Sequence, residues 1–166
     1  MNTYYENDDN LSEYRIDVFN NELIGCIAMY YVIKNLEELS LAKVMLILPM
    51  AFQDQLITYI GRKNVNINSI EQLLIRKPEL LANFNERYYS LLKTSINCIG
   101  LLSALDKISI EKKGQINISN KESFFPLDDK KAVGDRAMRI INCAPKISIL
   151  LNDNIENLYL QLRVTL

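Results

Sequence analysis

The side chains able to do acid–base or metal chemistry are few in this sequence, and they are scattered. Three adjacent carboxylate pairs stand out: Asp8/Asp9, Glu37/Glu38 and Asp128/Asp129. Two carboxylates can divide acid and base roles when their surroundings drive the two pKa values apart. The first pair falls in a polar arm, the second just beyond a helix end and the third at a helix start. Solvated charge or capping accounts for each. A magnesium-dependent nuclease would need acidic residues and a lysine converging from core strands, and the readable strands are almost wholly apolar. Histidine is absent. Its absence removes the commonest general base at neutral pH, the Ser–His and Cys–His pairs, and the commonest zinc ligand. The five glycines are too dispersed to cradle a phosphate, and nothing matches a P-loop. Cys26, Cys98 and Cys143 lie far apart, each in an apolar stretch and none at metal-ligand spacing. They read as buried thiols in a reducing compartment. The sequence points to no catalytic residue, no cofactor and no metal site.

Basic and aromatic residues are the remaining candidates. Lys112 and Lys113 fall at a predicted hairpin tip, where they would reach phosphates or simply be a solvated turn. Arg62 and Lys63 follow a helix end, as nucleic-acid contacts or as charges that favour the helix dipole. Arg136 and Arg139 lie one turn apart on a late helix opened by Lys130 and Lys131, a pattern of a solvated or partner-facing surface. Tyr30-Tyr31, Tyr88-Tyr89 and Phe124-Phe125 are adjacent aromatics. Helical neighbours sit about 100° apart, so one member of each pair is a candidate anchor for another protein. Tyr30 and Tyr89 are the two candidates, the alternative being tyrosines partly buried with their hydroxyls in water.

The elements that position these residues are mostly helices. Residues 1–14 lack apolar periodicity and read as a flexible acidic arm, leaving 15–166 as a single domain. Tyr14 to Phe19 alternates, as a short strand or strap. Asn20 or Asn21 offers a cap to a helix reaching about Lys34, apolar nearly all round and hence buried or docked. Ser40 caps a helix that Pro49 should kink or end, and Met50 to Ile60 continues helically to Gly61. Ser69 begins a short helix stopped by Pro78. From Pro78 the spacing predicts one long helix to about Leu105, with Tyr88, Leu92, Ile96, Ile99 and Ser103 on one stripe and Leu91, Ser95 and Leu102 close beside it. Then the period switches to alternation. Ile108 and Ile110, a turn at Glu111-Lys112-Lys113-Gly114, and Ile116 and Ile118 predict a β-hairpin. A polar loop at 119–129 precedes a helix from Lys130 to about Ala144, with Pro145 interrupting it. The segment Leu158 to Leu166 alternates at its end. A run of helices, a hairpin and a closing helix predict a mainly α, winged-helix-like helical bundle.

Charge and hydropathy narrow the function classes. Residues 1–40 carry 8 acidic and 2 basic groups, and residues 41–166 carry 12 and 17, so a net of −6 heads a body of +5. That balance is far from the strongly basic one of an outright nucleic-acid binder. Hydrophobic residues reach 49%, which suits either a dense core or a surface that a partner covers. The longest apolar runs have 11 and 9 residues, against roughly 20 needed to span a bilayer. With its polar, acidic N-terminus the chain reads as cytoplasmic, with no membrane partner and no small-molecule substrate.

The order and spacing of several segments resemble the middle component of bacterial ABC-three-component systems. That family includes the small accessory subunit of Lamassu-type antiphage and antiplasmid defence complexes. The matching pieces are Asn21-Glu22 opening the helix that ends Tyr30-Tyr31-Val32-Ile33, and Leu46-Ile47-Leu48-Pro49. They continue with Lys77-Pro78-Glu79-Leu80-Leu81, Phe84-Asn85-Glu86-Arg87-Tyr88, and Asn97 through Leu105. Lys131-Ala132-Val133-Gly134-Asp135-Arg136-Ala137 and Tyr159-Leu160-Gln161-Leu162 complete the set. The resemblance implies a non-catalytic adaptor between an SMC- or Rad50-like ABC ATPase, which senses foreign DNA, and an effector, often a nuclease, that it helps hold quiet. DNA would then be met through the complex. A free-standing winged-helix DNA-binding regulator is the alternative, and it would need a basic recognition helix.

Overall fold

The fold is read from a computed structural model, which describes residues 22–36, 40–119 and 133–165. The acidic arm 1–14, the Tyr14–Phe19 strap, the Asn20/Asn21 cap and the three carboxylate pairs lie outside these residues. So do Phe124-Phe125, Lys130 and Lys131.

Helix α1, Glu22–Ile33, is the apolar centre, with every residue from Gly25 to Ile33 buried. Each large aliphatic side chain buried there contributes about 1.5–3 kcal/mol relative to exposure. Ser40 begins α2, Leu41–Val44, and its hydroxyl accepts from the Lys43 N–H at 3.2 Å. Helix α3, Ile47–Ala51, follows after Met45 and Leu46 and is buried throughout. The expected helix through Leu48 therefore breaks earlier than Pro49. Pro49 sits in the first turn of α3, where a missing N–H costs no helical hydrogen bond. Phe52 and Gln53 leave the helical region, and α4, Asp54–Ile60, departs at 91° to the preceding pair. One continuous helix from Met50 to Ile60 was the expectation; the elbow replaces it. Gly61 closes α4 as its C-cap.

Helix α5, Ile70–Arg76, starts at Ser69, whose hydroxyl accepts from the Gln72 N–H at 3.2 Å. Pro78–Leu81 forms a short 3-10 turn rather than the start of the long helix. Asn83, at φ 54°, then turns the chain into α6, Phe84–Ala104. Its buried side runs through Tyr88, Ser95, Cys98, Ile99 and Leu102, while Ile96 and Ser103 face outward. The core stripe is thus rotated from the one that sequence spacing indicates.

The hairpin is as predicted. Strands β1, Ile108–Ile110, and β2, Ile116–Ile118, pair antiparallel with Ile108 opposite Ile118 and Ile110 opposite Ile116. The tip turns through Lys112–Gly114, where Lys113 and Gly114 take positive φ of 74° and 76°. Helix α7, Asp135–Leu150, runs through Pro145 without a break. Pro145 is exposed, so water can serve the Ile141 carbonyl that loses its helical partner. Asn154 caps α8, Ile155–Gln161, by accepting from the Glu156 N–H at 2.8 Å. Part of the tail read as alternating is therefore helical.

Polar threads tie these layers together. Asn97 on α6 donates to the Glu22 carboxylate at 2.6 Å, and the Cys98 thiol donates to the Glu22 carbonyl at 3.4 Å. The buried Ser148 hydroxyl of α7 reaches the Val32 carbonyl of α1 at 3.1 Å. The chain is mainly helical with one two-stranded sheet among the described residues. No single helix there is long and apolar enough to cross a membrane.

Candidate functional site

Three surface features arise from this packing. The first lies on α6. Because one side of this helix packs on α3 and the hairpin, its opposite side is left outward. Large apolar side chains flank that side on both edges, Tyr89 and Ile96 on one and Leu101 on the other, with Leu105 following at the C-cap; Ile96 is 57% and Leu105 55% exposed. Gly100 lies among them, and a Cβ built there would meet nothing within 4 Å. Sequence spacing missed Ile96, Leu101 and Leu105 as surface residues. The available signal was an excess of apolar positions, more than one helical face can bury. Tyr89, one of the two aromatic candidates, is exposed, and its hydroxyl donates to the Thr165 carbonyl.

The second feature is a mostly apolar groove of about 510 Å³ lined by Leu41, Ala42, Met45, Tyr88, Ile155, Glu156 and Tyr159. The Tyr159 hydroxyl donates to the Ala42 carbonyl at 3.0 Å and stands 3.3 Å from the Tyr88 hydroxyl. Burial, and then the bond to Tyr88, push its ionisation above the ordinary tyrosine range. It is a fixed neutral wall.

The third is a cleft of about 330 Å³ between α4 and α7, lined by Ile57, Thr58, Gly61, Arg62, Arg139, Asn142 and Cys143. The Cys143 thiol donates to the Ile57 carbonyl at 3.5 Å, fixing the floor. Arg62 and Arg139, assigned to separate roles by sequence, meet here. Lys63 is exposed beside Arg62. Lys112 and Lys113 are exposed at the hairpin tip and line neither this cleft nor the apolar groove.

Two of the anticipated partner contacts are placed differently. Tyr30 is completely buried and Tyr31 nearly so. The argument that one neighbour must face outward fails because α1 is enclosed on all sides, and the two rings stack edge-on at 5.5 Å. Arg136 folds back instead of projecting. Its guanidinium lies 5.0 Å from the Phe52 ring centre and its Nε is 3.9 Å from the Asp54 carboxylate.

Among the described residues no group of three or more His, Cys, Asp or Glu side chains is arranged to hold a metal ion. What the geometry offers is docking surface: exposed apolar side chains, an apolar groove and a cationic cleft. No curated protein and no solved structure matches the chain. The family model for the ABC-three component (ABC-3C) system Middle Component 3 matches residues 20–166. With that match covering most of its length, the chain belongs to the middle component 3 family of ABC-three-component systems, accessory subunits of multi-protein assemblies.

Proposed function

We propose that this middle component is a non-catalytic cytoplasmic adaptor, holding an SMC- or Rad50-like ABC ATPase against an effector of the nuclease type and restraining that effector in antiphage or antiplasmid defence. The observation that carries the reading is the set of large apolar side chains exposed along α6 and at its C-cap. Tyr89, Ile96, Leu101 and Leu105 are large apolar side chains left in water on a well-packed helix. Protein interfaces centre on such anchors, and covering a patch of this kind is favourable at roughly 25 cal/mol per Å² of apolar surface. Family membership supports a multi-subunit setting. The identity of each partner and the restraint on the effector follow from the resemblance noted above. The alternative of a free-standing winged-helix regulator finds no support in α6, the helix leading into the hairpin, because its exposed positions carry one lysine, Lys93, with Glu86 on the same side, and no basic cluster.

Co-expression of the full chain with the ATPase and effector encoded beside it tests this reading. The wild-type chain should purify with both. The pair Ile96→Asp and Leu105→Asp should lose at least one of them, while the chain's own melting temperature stays within a few degrees because both sites are exposed. Full assembly with the double variant would remove α6 from the interface. A stable monomer with no affinity for either neighbour would overturn the adaptor reading itself.

A further inference from the structure

We propose that the cleft between α4 and α7 binds the phosphodiester backbone of nucleic acid, with Arg62 and Arg139 as its charged donors and Asn142 and Thr58 as neutral ones. The inference is independent of the protein-docking role of α6.

Charge accounting is the first reason. No carboxylate lines the cleft among the described residues, and the two that line the adjoining groove have cations beside them: Asp54 faces Arg136 at 3.9 Å, and Glu79 pairs with Lys77 at 3.2 Å. Among the described residues no carboxylate lies within ion-pair reach of Arg62 or Arg139. Lys146 adds a further positive charge immediately behind, its ammonium seated on the carbonyls of Arg62 at 3.1 Å and Val65 at 3.0 Å. Lys63, next to Arg62 in the chain, is also exposed. Unpaired cations from two packed elements, converging on one concavity, form an anion site by Coulomb attraction alone. Guanidinium forks match phosphate oxygens in a bidentate way that no lysine point charge does.

Shape is the second reason. A second groove of about 360 Å³ adjoins the cleft, shares Thr58 and Arg62 with it, and is lined further by Tyr59, Gln55, Asp54 and the Lys77–Glu79 pair. The concavity is thus longer than a single phosphate ion needs, and Arg62 stands where its two parts join. The half-buried Tyr59 gives the path an aromatic wall of the kind against which nucleotides lie.

Composition is the third reason, and it separates nucleic acid from an acidic protein. None of the large exposed apolar side chains lines the cleft, whose apolar members Ile57 and Cys143 are buried floor. A protein interface is centred on apolar or aromatic anchors with charge at its rim. Here the arrangement is reversed, with charge at the centre. The apolar α6 face and the cationic cleft therefore suit two different kinds of partner.

Fluorescence anisotropy of the full-length chain, titrated into a short labelled DNA duplex and separately into one of its strands, decides the matter. Arg62→Gln with Arg139→Gln should weaken binding at least tenfold. It should also reduce the slope of log affinity against log salt by about 1.8 for duplex, two contacts at about 0.9 each. Lys112→Gln with Lys113→Gln should leave both within about twofold, and so should Ile96→Asp with Leu105→Asp. The two arms show whether duplex or single strand is preferred. Both arginines are exposed, so the double variant should keep the wild-type unfolding curve. The proposal is overturned if the wild-type chain binds neither probe, or if the arginine variant keeps its affinity and salt slope. It is equally overturned if that variant loses a protein partner while its nucleic-acid binding is unchanged.

Discussion

The ammonium of Lys146 donates to the carbonyl of Val65 at 3.0 Å, and the same nitrogen also bonds the carbonyls of Ile60 and Arg62. One side chain of α7 thereby serves the end of α4 and the turn that leaves it. These carbonyls belong to a helix C-terminus and its exit, where no helical N–H remains to satisfy them and where the dipole favours a cation. The arrangement holds the backbone at Arg62 in place beside Arg139.

Lys146→Met keeps the aliphatic stem and removes the charge. It should lower stability by about 1–3 kcal/mol, the range for losing charge-assisted bonds to partly buried acceptors. Urea unfolding should show a lower midpoint with an unchanged slope. A midpoint equal to wild type would mean that water replaces the ammonium at no cost.

Two glycines should respond in opposite directions to the same substitution. A Cβ on Gly25 would fall 2.7 Å from the Cys98 sulfur and 3.3 Å from a Leu48 methyl. Gly25→Ala should destabilise by about 1–3 kcal/mol through overpacking, despite the better helix propensity of alanine. Cys98→Ala in the same chain should recover part of that loss, giving a non-zero coupling in a double-mutant cycle. Gly100→Ala meets nothing within 4 Å and should stabilise by about 0.4–1 kcal/mol. If α6 carries a partner against this glycine, the same substitution should weaken assembly while raising the melting temperature of the isolated chain.

The parts of this fold that were legible in the sequence are those decided within a few residues. Ser40 and Ser69 cap because a hydroxyl reaches an N–H three positions on. The isoleucines at 108, 110, 116 and 118 pair because a Gly-containing turn separates two alternating strands. What was not legible depends on long-range packing. Pro145 stays helical because its side of α7 is solvated, and the elbow at Phe52-Gln53 lets both α3 and α4 pack on α7 while α3 also packs on α6. Tyr30 is completely buried, along with every residue around it on α1 from Gly25 to Ile33. Arg62 and Arg139 were each noticed for their charge, but their meeting is a consequence of α4 packing on α7. No local pattern encodes that.

The thiols should be nearly inert in the native state. Cys26, Cys98 and Cys143 are free and buried. The bond to Cys26, and then burial, raise the ionisation of Cys98, while burial raises that of Cys143 against the pull of Lys146 and Arg139. Cys26 is lowered by its bond with Cys98, but its sulfur is held toward the Cys98 carbonyl at 3.8 Å inside the core. A thiol-specific reagent should label none of the three quickly in native protein and all three in denaturant, with Cys143, at the floor of the cleft, first among them. Fast native labelling of Cys26 would show that α1 opens locally from α6.

The Glu71 carboxylate should give acid unfolding a component that belongs to α8. It accepts from the Gln161 amide at 2.6 Å, joining α5 to the last helix. Its ionisation is held below the usual carboxylate value, first by the Ser69 hydroxyl and then by Gln161. A depressed folded-state value means that the carboxylate stabilises the fold above the unfolded-state value of about 4.3. That contribution is lost as pH falls through the lower, folded-state value. Glu71→Gln removes the titrating group. The stability difference between wild type and this variant should therefore be greatest near neutrality and shrink to nothing in acid, with wild type the more stable. Urea midpoints measured across that range test it, and parallel curves for the two proteins would show that the α5–α8 contact does not respond to this carboxylate.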